Sequence, residues 1–219
     1  MSLARRSFLG LLGALGLQHV FINTTLAQPP ADNDAAKKLS LFDGKSLSGW
    51  KVTDFAGHGE VSIVDGQIEV DTGENLSGIT TTRAAELPRM NYELSLEAKR
   101  LDGGDFFCGL TFPVNKFPCS LIVGGWGGAV VGLSSLDGQD ASENETTQAM
   151  TFRSGQWYRI RVRVTPNRIA CWIDDERVIN VDTTDKQIGI RIEVEPCIPL
   201  GIATWQTKAA WRKIEVQRL

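Results

Sequence analysis

Polar and apolar residues alternate strictly along four stretches of this chain. In Tyr92-Glu93-Leu94-Ser95-Leu96-Glu97-Ala98-Lys99, the side chains of Tyr92, Leu94, Leu96 and Ala98 share one face. Tyr158–Val164 repeats the pattern, with Arg159, Arg161 and Arg163 set against four apolar positions. Ile188–Glu195 and Trp211–Val216 behave likewise. Successive strand residues point to opposite faces, so this period of two, rich in branched residues, predicts half-buried antiparallel strands. Turn residues punctuate the runs. Asp65-Gly66 between Val61–Val64 and Gln67–Val70 predicts a hairpin with a type I′ turn. Asp102-Gly103-Gly104, Asn115-Lys116, Asp137-Gly138 and Asp174-Asp175 mark further reversals. Beyond residue 38 no apolar stripe of helical period and no internal repeat appears. Apolar strand faces leave water by packing on one another, so the expectation is an all-β sandwich or barrel.

The first residues follow another logic. Ala4-Arg5-Arg6-Ser7-Phe8-Leu9-Gly10 reads as a twin-arginine motif, and the apolar run Phe8–Leu17 is too short to span a bilayer. Thr25-Leu26-Ala27 offers small residues at a cleavage point. The expected organisation is a signal peptide over 1–27, a flexible leader over 28–38 and one domain over 39–219. An uncleaved membrane anchor is the alternative reading of the start. The motif is a receptor-read address, so the expected location is periplasmic or otherwise extracytoplasmic, with no membrane span in the mature chain.

Charge and cysteine content narrow the partners. The net charge is −3, from 23 basic and 26 acidic residues. Loss of the signal would remove Arg5 and Arg6 and no acid, making the chain more acidic. Nucleic acid and anionic lipid are therefore not expected partners. A chain of 219 residues buries enough surface to fold without staples. Export permits disulfides among Cys108, Cys119, Cys171 and Cys197, whose spacing matches no zinc or thioredoxin motif. Buried free thiols packing as small hydrophobes are the other reading.

Leu41-Phe42-Asp43-Gly44-Lys45-Ser46-Leu47-Ser48-Gly49-Trp50-Lys51 resembles the opening signature of the 3-keto-disaccharide hydrolase or 3-keto-glucoside-1,2-lyase/hydratase family. Val64–Ile68, Tyr92-Glu93-Leu94 with Glu97, Gly155-Gln156-Trp157-Tyr158 and Trp211-Arg212-Lys213-Ile214 resemble later landmarks in the family's order. The resemblance implies an antiparallel jelly-roll β-sandwich of the concanavalin A/laminin G-like kind. The middle departs from the family pattern: Cys119–Trp126 has no carboxylate, and Trp205-Gln206-Thr207 stands where many members have His-Gly.

In such a fold a solvent-side sheet face is the place for a sugar, so the outward charges are candidates. If the family's activity holds, the 3-keto group acidifies the neighbouring C–H, and elimination followed by hydration cleaves the glycosidic bond. Glu97 or Glu193 would be the acid/base, with Lys99 or Arg161 stabilising an enolate. A solvated ladder of cross-strand ion pairs is the competing account of the same charges. Trp126, framed by Gly124-Gly125 and Gly127-Gly128, is a candidate for stacking on a sugar, with Arg191, Trp205 and Gln206 as further substrate-binding candidates. A core tryptophan at a backbone bend would use the same glycines.

The oxygen-rich loop around Asp137, Asp140 and Glu143 makes calcium the one metal to consider, although acidic loops are usually just solvated. His58 is the only histidine beyond the leader, which serves transition metals and Ser-His-Asp catalysis poorly. The expected function is an exported carbohydrate-active protein that cleaves a 3-keto-glycoside without a redox cofactor. A lectin-like binding module and a structural surface protein are the alternatives. The expected partner is an oligosaccharide or glycoside.

Overall fold

The structure, a computed structural model, describes residues 38–219. The twin-arginine segment and all of the leader but Lys38 lie outside the described residues. Fifteen strands follow in chain order: β1 (Leu39–Ser40), β2 (Trp50–Val52), β3 (Val61–Val64), β4 (Gln67–Val70), β5 (Leu76–Thr81), β6 (Tyr92–Gly103), β7 (Cys108–Val114), β8 (Phe117–Gly125), β9 (Val130–Ser134), β10 (Gln148–Ala149), β11 (Tyr158–Thr165), β12 (Arg168–Ile173), β13 (Glu176–Asp182), β14 (Gly201–Trp205) and β15 (Thr207–Arg218). They build two antiparallel sheets. One has eight strands in the order β13-β12-β11-β6-β15-β4-β3, with β1 also paired to β15; the other has seven, β10-β9-β8-β7-β14-β5-β2. This is the expected two-layered jelly-roll sandwich. No helix among the described residues is long and apolar enough to cross a membrane.

The alternating segments form the middle of the eight-stranded sheet. Tyr92–Lys99 lies in β6, Tyr158–Val164 in β11 and Trp211–Val216 in β15, and β6 pairs with both of the others. Leu94, Leu96, Ile160 and Val162 enter a core completed from the other sheet by Phe107, Leu110, Phe112, Leu121, Leu133 and Ile202. Two buried aromatics also bond to the opposite sheet or its approach: Trp211 Nε1 donates to the Phe107 carbonyl at 2.9 Å and Tyr92 Oη to that of Pro113 at 2.6 Å. The predicted hairpin joins β3 to β4, with positive φ at both Asp65 (49°) and Gly66 (78°), as a type I′ turn requires.

The Leu41–Lys51 segment carries the chain from one sheet to the other. Leu41 N donates to Ile214 O on β15, Trp50 Nε1 donates back to Leu41 O, and Trp50 then pairs with Thr81 on β5. Its distinctive residues are thus explained by a crossover between layers.

Ile188–Glu195 corrects the strand reading. It forms no ladder strand: it runs extended into a 3-10 turn at Ile192–Cys197, with Ile192 fully out in solvent. Pro196 and Pro199 bring no N–H to a ladder, and β14 already fills the place between β5 and β7. The segment instead forms a strap on the outer side of the seven-stranded sheet. Ser135 and Gly189 exchange backbone hydrogen bonds at 2.7 and 3.1 Å, and Thr80 Oγ1 donates to Pro196 O at 2.9 Å. All four cysteines are free thiols and buried.

The outer faces of the two sheets differ in chemistry. The eight-stranded sheet presents the charged partners of the alternating runs. The seven-stranded sheet presents small or hydroxyl side chains, among them Thr80, Thr111, Ser120, Gly132 and Ser134. β7 is buried along its whole length.

Candidate functional site

A cleft of about 250 Å³ opens on the outer side of the seven-stranded sheet. Ser120 and Ile122 of β8 and Ser134 of β9 contribute to it from the sheet itself. Leu76 and Trp205 come from the neighbouring strands β5 and β14, and Asp105 and Phe106 from the segment entering β7. Trp126 follows β8, and the strap supplies Arg191, Glu193 and Val194.

Two of the four glycines around Trp126, Gly124 and Gly128, are explained by a buried arginine. Arg100 on β6 is 6% exposed, and its Nη2 donates to the carbonyls of Gly124 (3.4 Å) and Gly128 (3.2 Å). Its guanidinium stands 5.2 Å from the Phe107 ring centre. A Cβ on Gly124 would lie 2.7 Å from that Nη2, and one on Gly128 would lie 2.9 Å from Gly104 O. The chain can wrap the guanidinium only with glycine at these places, both of which have positive φ. Asp105 fixes the same loop, its Oδ2 accepting from Gly127 N at 3.0 Å and its Oδ1 from Phe106 N at 2.7 Å. Burial lowers the Arg100 pKa, opposed by the Asp105 charge. Trp126 is left 44% exposed at the tip, a geometry open to stacking.

On the strap, Arg191 bridges two carboxylates, with Nη1 donating to Asp140 Oδ2 at 2.9 Å and Nη2 to Glu193 Oε1 at 2.8 Å. The bond from Arg191 holds the Glu193 carboxyl below the usual range, and the bond to Glu193 raises Arg191. Both are charged at neutral pH. Cys197 anchors the strap from below, buried where a Cβ on Gly201 would come within 2.7 Å of its own Cβ.

Of the residues singled out in the sequence, Trp126, Arg191, Glu193 and Trp205 meet in this cleft. Gln206 is not among its lining residues; its Nε2 donates to Glu74 O at 3.0 Å. Glu97, Lys99 and Arg161 lie on the outer face of the other sheet, so Glu97 and Glu193 do not share a site. Glu97 accepts from Arg212 Nε at 2.6 Å and Lys213 Nζ at 2.8 Å. Lys99 Nζ lies 4.6 Å from the Trp157 ring centre, and the Arg161 guanidinium 4.6 Å from that of Trp172. Arg161 also reaches Glu93 at 3.4 Å. This face carries the ion pairs that the alternating pattern allows, and Glu97 and Arg161 also line a recess of about 500 Å³ on it.

Two of the three calcium candidates have protein partners. Asp137 pairs with Lys186 at 3.3 Å, Asp140 holds Arg191 and Ser142, and no group of three His, Cys, Asp or Glu side chains suited to a metal forms among the described residues. Sequence reading missed Asp105, Phe106, Ser120 and Ser134. Asp105 had a signal, a carboxylate following Gly103-Gly104 and preceding two aromatics. The two serines had none, since a strand serine reads the same on any face.

The fold is shared with carbohydrate-related proteins. The chain superposes on the Crh5 transglycosylase, solved with NAG, with TM-score 0.57 at 14% identity, covering 84% of each chain. It superposes on a Parabacteroides distasonis protein described as a glycosyl hydrolase with TM-score 0.52 at 13% identity, covering 83% of this chain and 94% of the other. For the carbohydrate-binding module CBM66 from Bacillus subtilis the TM-score is 0.50 at 12% identity, covering 77% and 95%. At such identities the likeness is one of fold. No curated protein matches the sequence. The family model of the 3-keto-alpha-glucoside-1,2-lyase-like domain matches residues 37–217, almost all of the sandwich, and the chain belongs to that family.

Proposed function

We propose that the cleft on the seven-stranded sheet binds a glycoside and cleaves a 3-keto-glycoside by elimination. The observation that carries this reading is the convergence of two carboxylates, one guanidinium and three aromatic side chains there. Aromatic faces suit the C–H surface of a pyranose. A ketone at C3 acidifies the C2 proton, which a carboxylate ionised at neutral pH can remove. Glu193 is such a base, and Arg191 beside it can stabilise the enolate oxygen. The C1–O1 bond then breaks, C1=C2 forms, and the proton held by the carboxylate passes to O1. Water adds across the double bond to complete the cleavage. Asp105, fixed by two backbone N–H groups, is the second carboxylate available to position that water.

A sugar-binding module is the second reading, favoured by one observation. The β8 positions facing the cleft are Ser120 and Ile122, so that strand brings no carboxylate to it. Incubation of the purified chain with methyl 3-keto-α-glucoside, followed by the absorbance of the enone and by release of methanol, separates the two. Glu193→Gln is expected to slow turnover by about 10²-fold or more, as loss of a general base does. Saturable binding without turnover supports the module. Turnover untouched by both Glu193→Gln and Asp105→Asn would remove the catalytic reading from this cleft.

A further inference from the structure

One polar atom at the sheet surface of the cleft has nothing to bond to. Ser134 is 1% exposed, and its Oγ has no hydrogen-bond partner among the described residues. Leu133 before it belongs to the core, so the strand's alternation turns Ser134 to the outer side, where it lines the cleft. Its register partner Ser120 is already engaged, with Oγ 2.8 Å from Thr111 Oγ1. A buried hydroxyl without a partner costs stability, and such exceptions in a folded protein call for an explanation. A binding site supplies one, since a ligand's hydroxyl or carbonyl oxygen can take up the missing hydrogen bond.

Two further properties restrict the occupant. The cleft is lined by Asp105 and Glu193 against a single cation, Arg191, which is itself shared with Asp140. That balance disfavours an acidic sugar and suits an uncharged one. At about 250 Å³ the cleft is smaller than the roughly 300–1,000 Å³ of sites for drug-sized ligands, which is room for one ring.

We infer that Ser134 is a specificity-determining residue, whose hydroxyl bonds a ring oxygen substituent of a single uncharged pyranose seated against the sheet. A hydroxyl both donates and accepts, so it fits a sugar hydroxyl or a keto oxygen. The inference rests on the reading of this cleft as the glycoside site.

Calorimetric titration of the full chain with methyl α-glucoside, its monodeoxy derivatives and methyl α-glucuronide tests it. Ser134→Ala is expected to weaken glucoside binding about tenfold, the scale of one hydrogen bond. The variant's Tm should be unchanged or raised, because an orphan hydroxyl is removed. One monodeoxy derivative should lose a similar factor against the wild type and none further against Ser134→Ala. The glucuronide should bind more weakly than the glucoside. A Ser134→Ala variant that binds as the wild type, or whose Tm clearly falls, overturns the inference. If Trp126→Ala weakens binding while Ser134→Ala does not, the cleft stands and the anchor fails. If neither substitution changes binding, or no glycoside binds, the cleft reading fails with it.

Discussion

The Glu97 carboxylate is partly buried, which raises its pKa, but hydrogen bonds from Lys213 and Arg212 outweigh burial and hold it below the usual range. Its folded pKa is therefore depressed. The associated stability is present above the ordinary glutamate pKa and is lost as pH falls through the folded value. Glu97→Gln should lower Tm at neutral pH, with the gap to the wild type closing on acidification to about pH 3, below the ordinary glutamate range. Thermal melts across that range check it; a gap that stays constant would mean the charge contributes nothing. The alternation of Tyr92–Lys99 showed that Glu97 points outward, but not what it meets. Both partners are more than a hundred residues away, and a register shift between Arg212 and Glu215, with Lys213 at φ 51°, turns two successive residues toward one carboxylate. Such a bulge breaks the period of two, so no pattern in the sequence announces it.

Among the elements, β6 and β11 are legible because each buries one face and solvates the other, and the alternation records it, whereas the β3–β4 hairpin is legible through its Asp65-Gly66 turn. The strap at 188–197 carries the same alternation and is not a strand. Its apolar positions serve other ends: Val194 packs beside Phe55, Leu76 and Cys197, whereas Ile192 packs on nothing comparable. It is held by the packing of Ile188 on the main core and of Ile190, Val194 and Cys197 in a second cluster, and by polar bonds such as that from Thr80 Oγ1 to Pro196 O. Thr80→Val keeps the shape but removes that bond and the 2.7 Å bond between Thr80 Oγ1 and Thr53 Oγ1, and is expected to cost about 2–3 kcal/mol. Hydrogen exchange should quicken in residues 191–198 while β6, β11 and β15 keep their protection. Unchanged exchange in the strap would show that other contacts suffice. Because Arg191 and Glu193 ride on this element, the candidate site depends on the least regular piece of the sandwich.

The described residues form two sheets whose inner faces make a common core and whose outer faces differ in chemistry. Its stability does not depend on covalent links. Burial pushes the Cys119 and Cys197 thiols up to about 12, and raises Cys108 and Cys171 as well. The native chain should therefore react negligibly with a disulfide reagent at about pH 8, and all four thiols should react once it is denatured. Fast labelling of the native form, or fewer than four thiols after denaturation, would contradict the free-thiol core. By itself the sequence determined the alternating strands β6, β11 and β15, the β3–β4 turn and the family, since these rest on local periodicity, turn chemistry and one contiguous motif. It also marked Trp126 through the glycines beside it. Only the tertiary structure decided which charges share a face. Glu97 and Glu193 read alike along the chain, yet they end on the outer faces of different sheets, because strand order and the strap's crossing are set by long-range packing that neighbouring residues do not encode.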